Sequence, residues 1–70
     1  MSDDRVYSVS EIVGTSKESS EAAIRTAVSR ASTTLRHLAW FEVVESRGVI
    51  ADGQIDYFQV KIKVGFRLEE

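Results

Sequence analysis

Hydrophobic and polar residues alternate along three stretches of this chain and recur at three- and four-residue intervals along a fourth. Arg5 to Val13 is rich in β-branched and aromatic residues. Tyr7, Val9 and Val13 fall on one parity, and Val6, Ser8, Ser10 and Ile12 on the other. That pattern predicts a half-buried strand, ended by Gly14. A helix start follows, with Thr15 or Ser16 able to accept a bond from a free first-turn amide and Glu18 three residues after Thr15 in capping-box spacing. Ile24, Ala27, Val28, Ala31, Leu35 and Leu38 then form one apolar stripe, with Arg25, Ser29, Arg30, Thr33 and Arg36 largely off it. Glu18 and Glu21 near the start, and Arg36 and His37 near the end, suit the dipole of such a helix.

Trp40 to Ile50 reads as a second strand with imperfect alternation: Phe41 and Val43 share one parity, Trp40 and Val44 the other. Bulky groups on both faces imply that both faces become covered. Asp52-Gly53 is a two-residue hairpin signal, because both positions of a type I′ turn need positive φ. The last strand alternates cleanly. Phe58, Val60, Ile62, Val64, Phe66 and Leu68 face one way; Tyr57, Gln59, Lys61, Lys63, Gly65 and Arg67 face the other. The order is therefore β-α-β-β, an α+β chain. The first two strands, joined through the helix, run parallel by a right-handed crossover, and the hairpin makes the third antiparallel to the second. If the long third strand lies between the others, the three-stranded sheet has order 1-3-2 and every neighbouring pair is antiparallel. A helix of about six turns then covers one face.

Length and composition narrow the possibilities. Seventy residues without linker, repeat or low-complexity segment make one domain spanning 1–70, with an ordered core of about 5–69 and a polar, frayed start at Met1 to Asp4. Domains this small lean on disulfides, a metal or self-association. The chain has no cysteine, which removes disulfides, thiolate metal sites and cysteine nucleophiles, and its single histidine, His37, argues against a zinc site or a histidine-based triad. Self-association remains. Long strands on so short a chain leave sheet surface that one helix does not hide, an independent reason to expect an oligomer. A net charge of −2 argues against a general nucleic-acid binder. The longest apolar run falls far short of the roughly 18 residues of a membrane span, and no signal-peptide pattern opens the chain, so the expectation is a soluble, cytoplasmic protein.

Catalytic constellations are missing: the chain carries no phosphate-binding glycine loop, zinc-protease motif or nucleophile elbow. Glu42 and Glu45 fall on opposite faces of a regular strand, which weakens a paired-carboxylate reading. The expectation is a protein without enzymatic turnover. Trp40 fits two roles: a core aromatic under the helix end, or a planar stacking surface for an aromatic ligand, with Gln59 supplying an amide nearby. Gln59 is otherwise a solvated strand residue. Arg47 and Arg67 are surface charges, or oxyanion ligands if a site exists.

Taken together, EIVGTS at 11–16, Ala31 through Leu38, WFEV at 40–43, Arg47-Gly48, Asp52-Gly53, FQV at 58–60 and KVGFRLE at 63–69 closely resemble the dodecin family of small flavoproteins over about residues 5 to 69. The resemblance implies a β-α-β-β fold whose antiparallel sheet wraps one helix, and twelve copies assembled as a hollow shell of cubic-type symmetry. It implies flavins bound in pairs at subunit contacts. By position, Trp40 is then the stacking residue, Gln59 the group that hydrogen-bonds the isoalloxazine edge, and Arg47 and Arg67 the basic residues near ribityl and phosphate. The function implied is binding, storage and photoprotective sequestration of FMN, or of FAD or riboflavin, in a homododecamer. Some bacterial dodecins also bind coenzyme A; Arg30, Thr34 and Arg36 are the positional candidates. Three positions depart from the family pattern: Val49 and Tyr57 where relatives carry histidine, and Ala39 where they often carry aspartate. Those departures support an alternative, a dodecameric scaffold or coenzyme A-binding protein with a weakened flavin site.

Overall fold

A computed structural model describes residues 4–69; the start of the chain at 1–3, read above as frayed, and residue 70 lie outside them. The element order is β1 (Tyr7–Ser16), α1 (Ser20–Ala31), β2 (Leu38–Ala51) and β3 (Gln54–Arg67). The strands form one sheet of order β1-β3-β2, antiparallel throughout, the arrangement expected if the long third strand lies between the other two. Asp52 (φ 53°) and Gly53 (φ 75°) make the turn between β2 and β3. Both φ values are positive, as a type I′ turn needs.

Two boundaries differ from those the pattern predicts. β1 runs through Gly14 to Ser16, so neither Thr15 nor Ser16 caps the helix. Ser19 is the cap: its backbone is extended and its Oγ accepts from the Ala22 amide at 3.0 Å. Ser16 Oγ instead accepts from the Glu18 amide, a turn that reverses the chain between β1 and α1. At the other end α1 stops at Ala31 after 12 residues, about three turns and not six. The next three residues carry hydroxyls that bond back to the preceding turn: Ser32 Oγ donates to the Ser29 carbonyl and Thr33 Oγ1 to that of Arg30, both at 2.7 Å. Such bonds compete with a continuing helix. Leu35 and Leu38 still pack against the core, from the connection and from β2. His37, at φ 64°, lies in that connection and not on a helix end, and Arg30 is the basic residue of the last turn.

The core sits between α1 and the sheet. Val60, Ile62 and Val64 of β3 are fully buried, on the parity their alternation indicated, against Ala23 and Ala27 of the helix. These small helix residues bring the backbones close. A Cβ at Gly14 would collide with the Ala23 carbonyl and sit 2.9 Å from the Ala27 methyl. The parity of β1 that turns toward the helix is therefore its less bulky one, Ser8, Ser10, Ile12 and Gly14, while Tyr7, Val9 and Val13 face outward.

Helix α1 packs on β1 and β3. The helix-side face of β2 stays open, and Phe41 there is 51% exposed, Val43 nearly as much. The molecule measures 58 × 20 × 14 Å, and its radius of gyration of 14.7 Å exceeds the roughly 11 Å of a compact chain of this length. A short helix on long strands leaves two surfaces uncovered, the outer sheet face, which mixes Trp40, Tyr7, Val9 and Val13 with charged residues, and the apolar inner face of β2.

Candidate functional site

The candidate residues gather on the outer face, opposite the helix, and the register explains how. Cross-strand partners share a face. Gly65 pairs with Val9 and Trp40, Lys63 with Glu11 and Glu42, Lys61 with Val13 and Glu45, and Gln59 with Thr15 and Arg47. Tyr57 pairs with Val49, and Arg67 with Tyr7.

β2 reaches this arrangement through two irregularities, between Leu38 and Trp40 and between Val43 and Glu45. Each inserts one extra residue and flips the alternation that follows. The first sends Leu38 inward to the core and Trp40 outward. The second brings Glu45 and Arg47 to the face that already carries Glu42, so Glu42 and Glu45 share a face, contrary to the expectation for a regular strand. Both stand beside cations in the register: Glu42 is opposite Lys63, while Glu45 Oε1 lies 2.8 Å from Arg47 and 3.9 Å from Lys61 Nζ.

Trp40 is not a core residue. Its ring lies over the bare backbone of Gly65, with 44% of the residue still exposed. Gly65 is buried although it belongs to the outer face, because the indole covers it. Arg67 lies two residues farther along β3. The Gln59–Arg47 row is at the other end: six residues of strand separate Gln59 from Gly65, about 20 Å at 3.3–3.4 Å per residue. Within one chain the structure thus joins Trp40 with the Arg67 end and Gln59 with Arg47, but it does not bring Trp40 and Gln59 together. A planar ligand touching both needs two copies of the chain. The departures from the family pattern lie beside these groups. Val49 and Tyr57 face each other one row beyond Arg47 and Gln59, and Ala39 is the extra residue that turns Trp40 outward.

Arg30 and Thr34 share a groove of about 480 Å³ between β1 and the end of α1, lined also by Ser10, Ile12 and Leu35. Arg30 donates to Thr33 Oγ1 at 2.8 Å. Arg36 is not part of this groove; its guanidinium is 3.4 Å from Glu69 Oε2, an oxygen that also lies 2.9 Å from His37 Nε2. Among the described residues, no cluster of three or more His, Asp and Glu side chains is placed to hold a metal ion, and no helix is long and apolar enough to cross a membrane. Two residues of this face that the residue pattern alone gave no functional role are Gly65 and Thr15. The signal for Gly65 was present: it is the one position without a side chain on the polar parity of β3.

Residues 6–69 match the Dodecin family model. The dodecin of Thermus thermophilus is 56% identical over 66 residues, covering 94% of this chain and 96% of that protein. A solved structure of the dodecin from Streptomyces davaonensis matches with a TM-score of 0.93 and 56% identity, covering 97% of this chain and 100% of that one. Solved structures of three mutants of the Thermus thermophilus dodecin match with TM-scores of 0.90 and 54% identity, over 96% of this chain and between 98% and 100% of theirs. Two replace an arginine by alanine and one a tryptophan by phenylalanine; those positions are spaced seven and twenty residues apart, as Trp40, Arg47 and Arg67 are here.

Proposed function

The chain belongs to the dodecin family, and from that premise we propose that it binds and stores a flavin, FMN first among the candidates, in a hollow homododecamer that shields the cofactor from light. One observation carries the reading: a half-exposed indole seated over a glycine on an uncovered sheet face, about 20 Å from the glutamine and arginine row that would complete its site. Neither half suffices alone, so the binding unit would be an interface. A two-fold axis supplies the same residues from both partners, and a pair of flavins then stacks between a pair of Trp40 side chains.

The residues divide the work by chemistry. The exposed face of Trp40 offers apolar area, and aromatic geometry adds about 0.5–1.5 kcal/mol beyond burial. Gln59 carries both an amide donor and a carbonyl acceptor, suited to the polar edge of the ring. Arg47 and Arg67 suit a phosphate through bidentate N–H···O bonds, with Arg47 exchanging its present partner Glu45 for the ligand. A bound flavin would supply the light-absorbing, redox-active ring, and Trp40, stacked against it, would supply an electron-rich indole able to quench it. Nothing in this scheme asks for turnover, and Glu45 beside Arg47 is engaged by Arg47 and Lys61.

A coenzyme A role has one observation in its favour, the groove shared by Arg30 and Thr34. Arg36 lies outside that groove, with its exposed guanidinium 3.4 Å from Glu69 Oε2, so in this reading Arg30 and Thr34 would make the first contacts.

Titration of flavin-stripped protein with FMN, followed by flavin fluorescence, tests the proposal. The expected result is quenching that saturates near about one flavin per chain, as the paired geometry requires. Trp40→Ala should weaken affinity at least about tenfold. Absence of quenching at tens of micromolar protein, or full affinity in Trp40→Ala, would overturn it.

A further inference from the structure

We infer that Gly65 is a positioning residue for this site: its missing side chain is the seat that fixes the height and tilt of the Trp40 indole above the sheet. The inference rests on the flavin reading for its consequence, not for its geometry. On the outer face of β3, Tyr57, Gln59, Lys61, Lys63 and Arg67 all carry long side chains; Gly65 alone carries none, and it is the residue paired with Trp40. A Cβ built there would overlap Cε2 and Cζ2 of the indole and lie 2.6 Å from Nε1. The backbone does not call for glycine here: positive φ among the glycines is confined to Gly53. A glycine inside a strand weakens it relative to alanine, so room for the ring is what favours glycine at this position.

The bulge at Ala39 and the bare Gly65 act on the same side chain. The bulge turns Trp40 to the outer face, and the glycine lets the ring settle onto backbone where it would otherwise stand on a side chain. In a site built from two such faces, the height of each indole sets the thickness of the slot between them. A methyl group in contact needs about 3.5–4.0 Å to each ring carbon, so alanine at this position displaces the indole by roughly 1 Å or more. The slot narrows or the ring swings aside, and a stack of fixed thickness is lost in either case.

The test compares Gly65→Ala with wild type in the full chain, with Trp40→Phe and the double variant completing a cycle. FMN affinity should fall about tenfold or more in Gly65→Ala, while thermal stability stays at or near that of wild type. The emission and near-ultraviolet circular dichroism of Trp40, the only tryptophan of the chain, should change. In the Trp40→Phe background, where a smaller ring meets the new methyl, the further loss from Gly65→Ala should be much smaller. Should Gly65→Ala alone fail to fold, folding of the double variant would show that the conflict is with the indole. Wild-type affinity in Gly65→Ala, an equal loss in both backgrounds, or failure of both variants to fold would each overturn the inference. If wild type binds no flavin, the storage reading falls, and the seat is judged on the Trp40 spectra: no change in Gly65→Ala refutes it too.

Discussion

Replacing Gly14 by alanine tests the packing that positions the whole site, because β1 and β3 both take their place from the helix resting on them. The methyl group would collide with the Ala23 carbonyl oxygen and stand 2.9 Å from the Ala27 Cβ. Both obstacles belong to the helix, one of them is backbone, and neither can rotate away. The helix must lift, which opens its contact with Val60 on the neighbouring strand. Overpacking of this kind costs about 1–3 kcal/mol, and the lower entropy of the unfolded alanine chain returns up to about 1 kcal/mol of that. The net expected is a loss of about 1–2 kcal/mol, or roughly 5–15 °C in Tm for a domain of this size. Gly48→Ala is the internal control: its methyl would meet only the Tyr57 carbonyl oxygen at 3.6 Å, an ordinary contact. It should be neutral or stabilising by up to about 1 kcal/mol. Thermal unfolding by circular dichroism, at one protein concentration because self-association shifts Tm, measures both. A Gly14→Ala chain as stable as wild type, or as stable as Gly48→Ala, would refute the close helix–strand approach.

Two further outcomes follow from the thinness of the core. Ile62→Ala empties the centre of a core in which, among the described residues, six hydrophobic residues are buried and three of those are alanines. A loss of about 2–5 kcal/mol is expected, read as a lower urea midpoint, and an unchanged midpoint would contradict the assignment of Ile62 to the core. Phe41→Asp places a charge on the open inner face of β2, where the side chain is already half-exposed. Light scattering should show wild type near twelve times the 7.8 kDa chain mass and the variant far smaller, with strand circular dichroism retained. Wild type at the mass of one chain would remove the assembly from the proposal.

The local signals were legible in the residues themselves. Period-two alternation from Phe58 to Phe66 marks the central strand and its buried side, because a pleated strand sends successive side chains to opposite faces whatever surrounds it. Asp52-Gly53 marks the hairpin, since few other residue pairs accept positive φ at both positions. Together with the β-rich stretch before Gly14 and the helical stripe, those signals give the β-α-β-β order, and placing the long third strand between the other two gives the 1-3-2 sheet. The stripe from Ile24 to Leu38 correctly identifies residues that meet the core, although a continuous helix supplies only the first part of it.

What only the tertiary structure decided is where those residues stand relative to one another. A bulge is a property of two paired strands, so nothing along β2 by itself shows that Trp40 turns outward or that Glu42, Glu45 and Arg47 end on one face. The end of α1 at Ala31 depends on hydroxyls that bond back to carbonyls, a contest between local bonds and helix that periodicity does not register. The polar parity of β1 faces the helix because alanines and Gly14 bring two backbones together, a consequence of packing distance and not of hydrophobicity. The same reasoning separates Trp40 from Gln59: residue types identify both as candidates, but strand rise and register place them about 20 Å apart. The sequence thus determined the order of the elements and the residue types of the candidate site. The packed sheet decided that the site is divided between its two ends, because distance along a strand becomes distance in space only once its partners are in register.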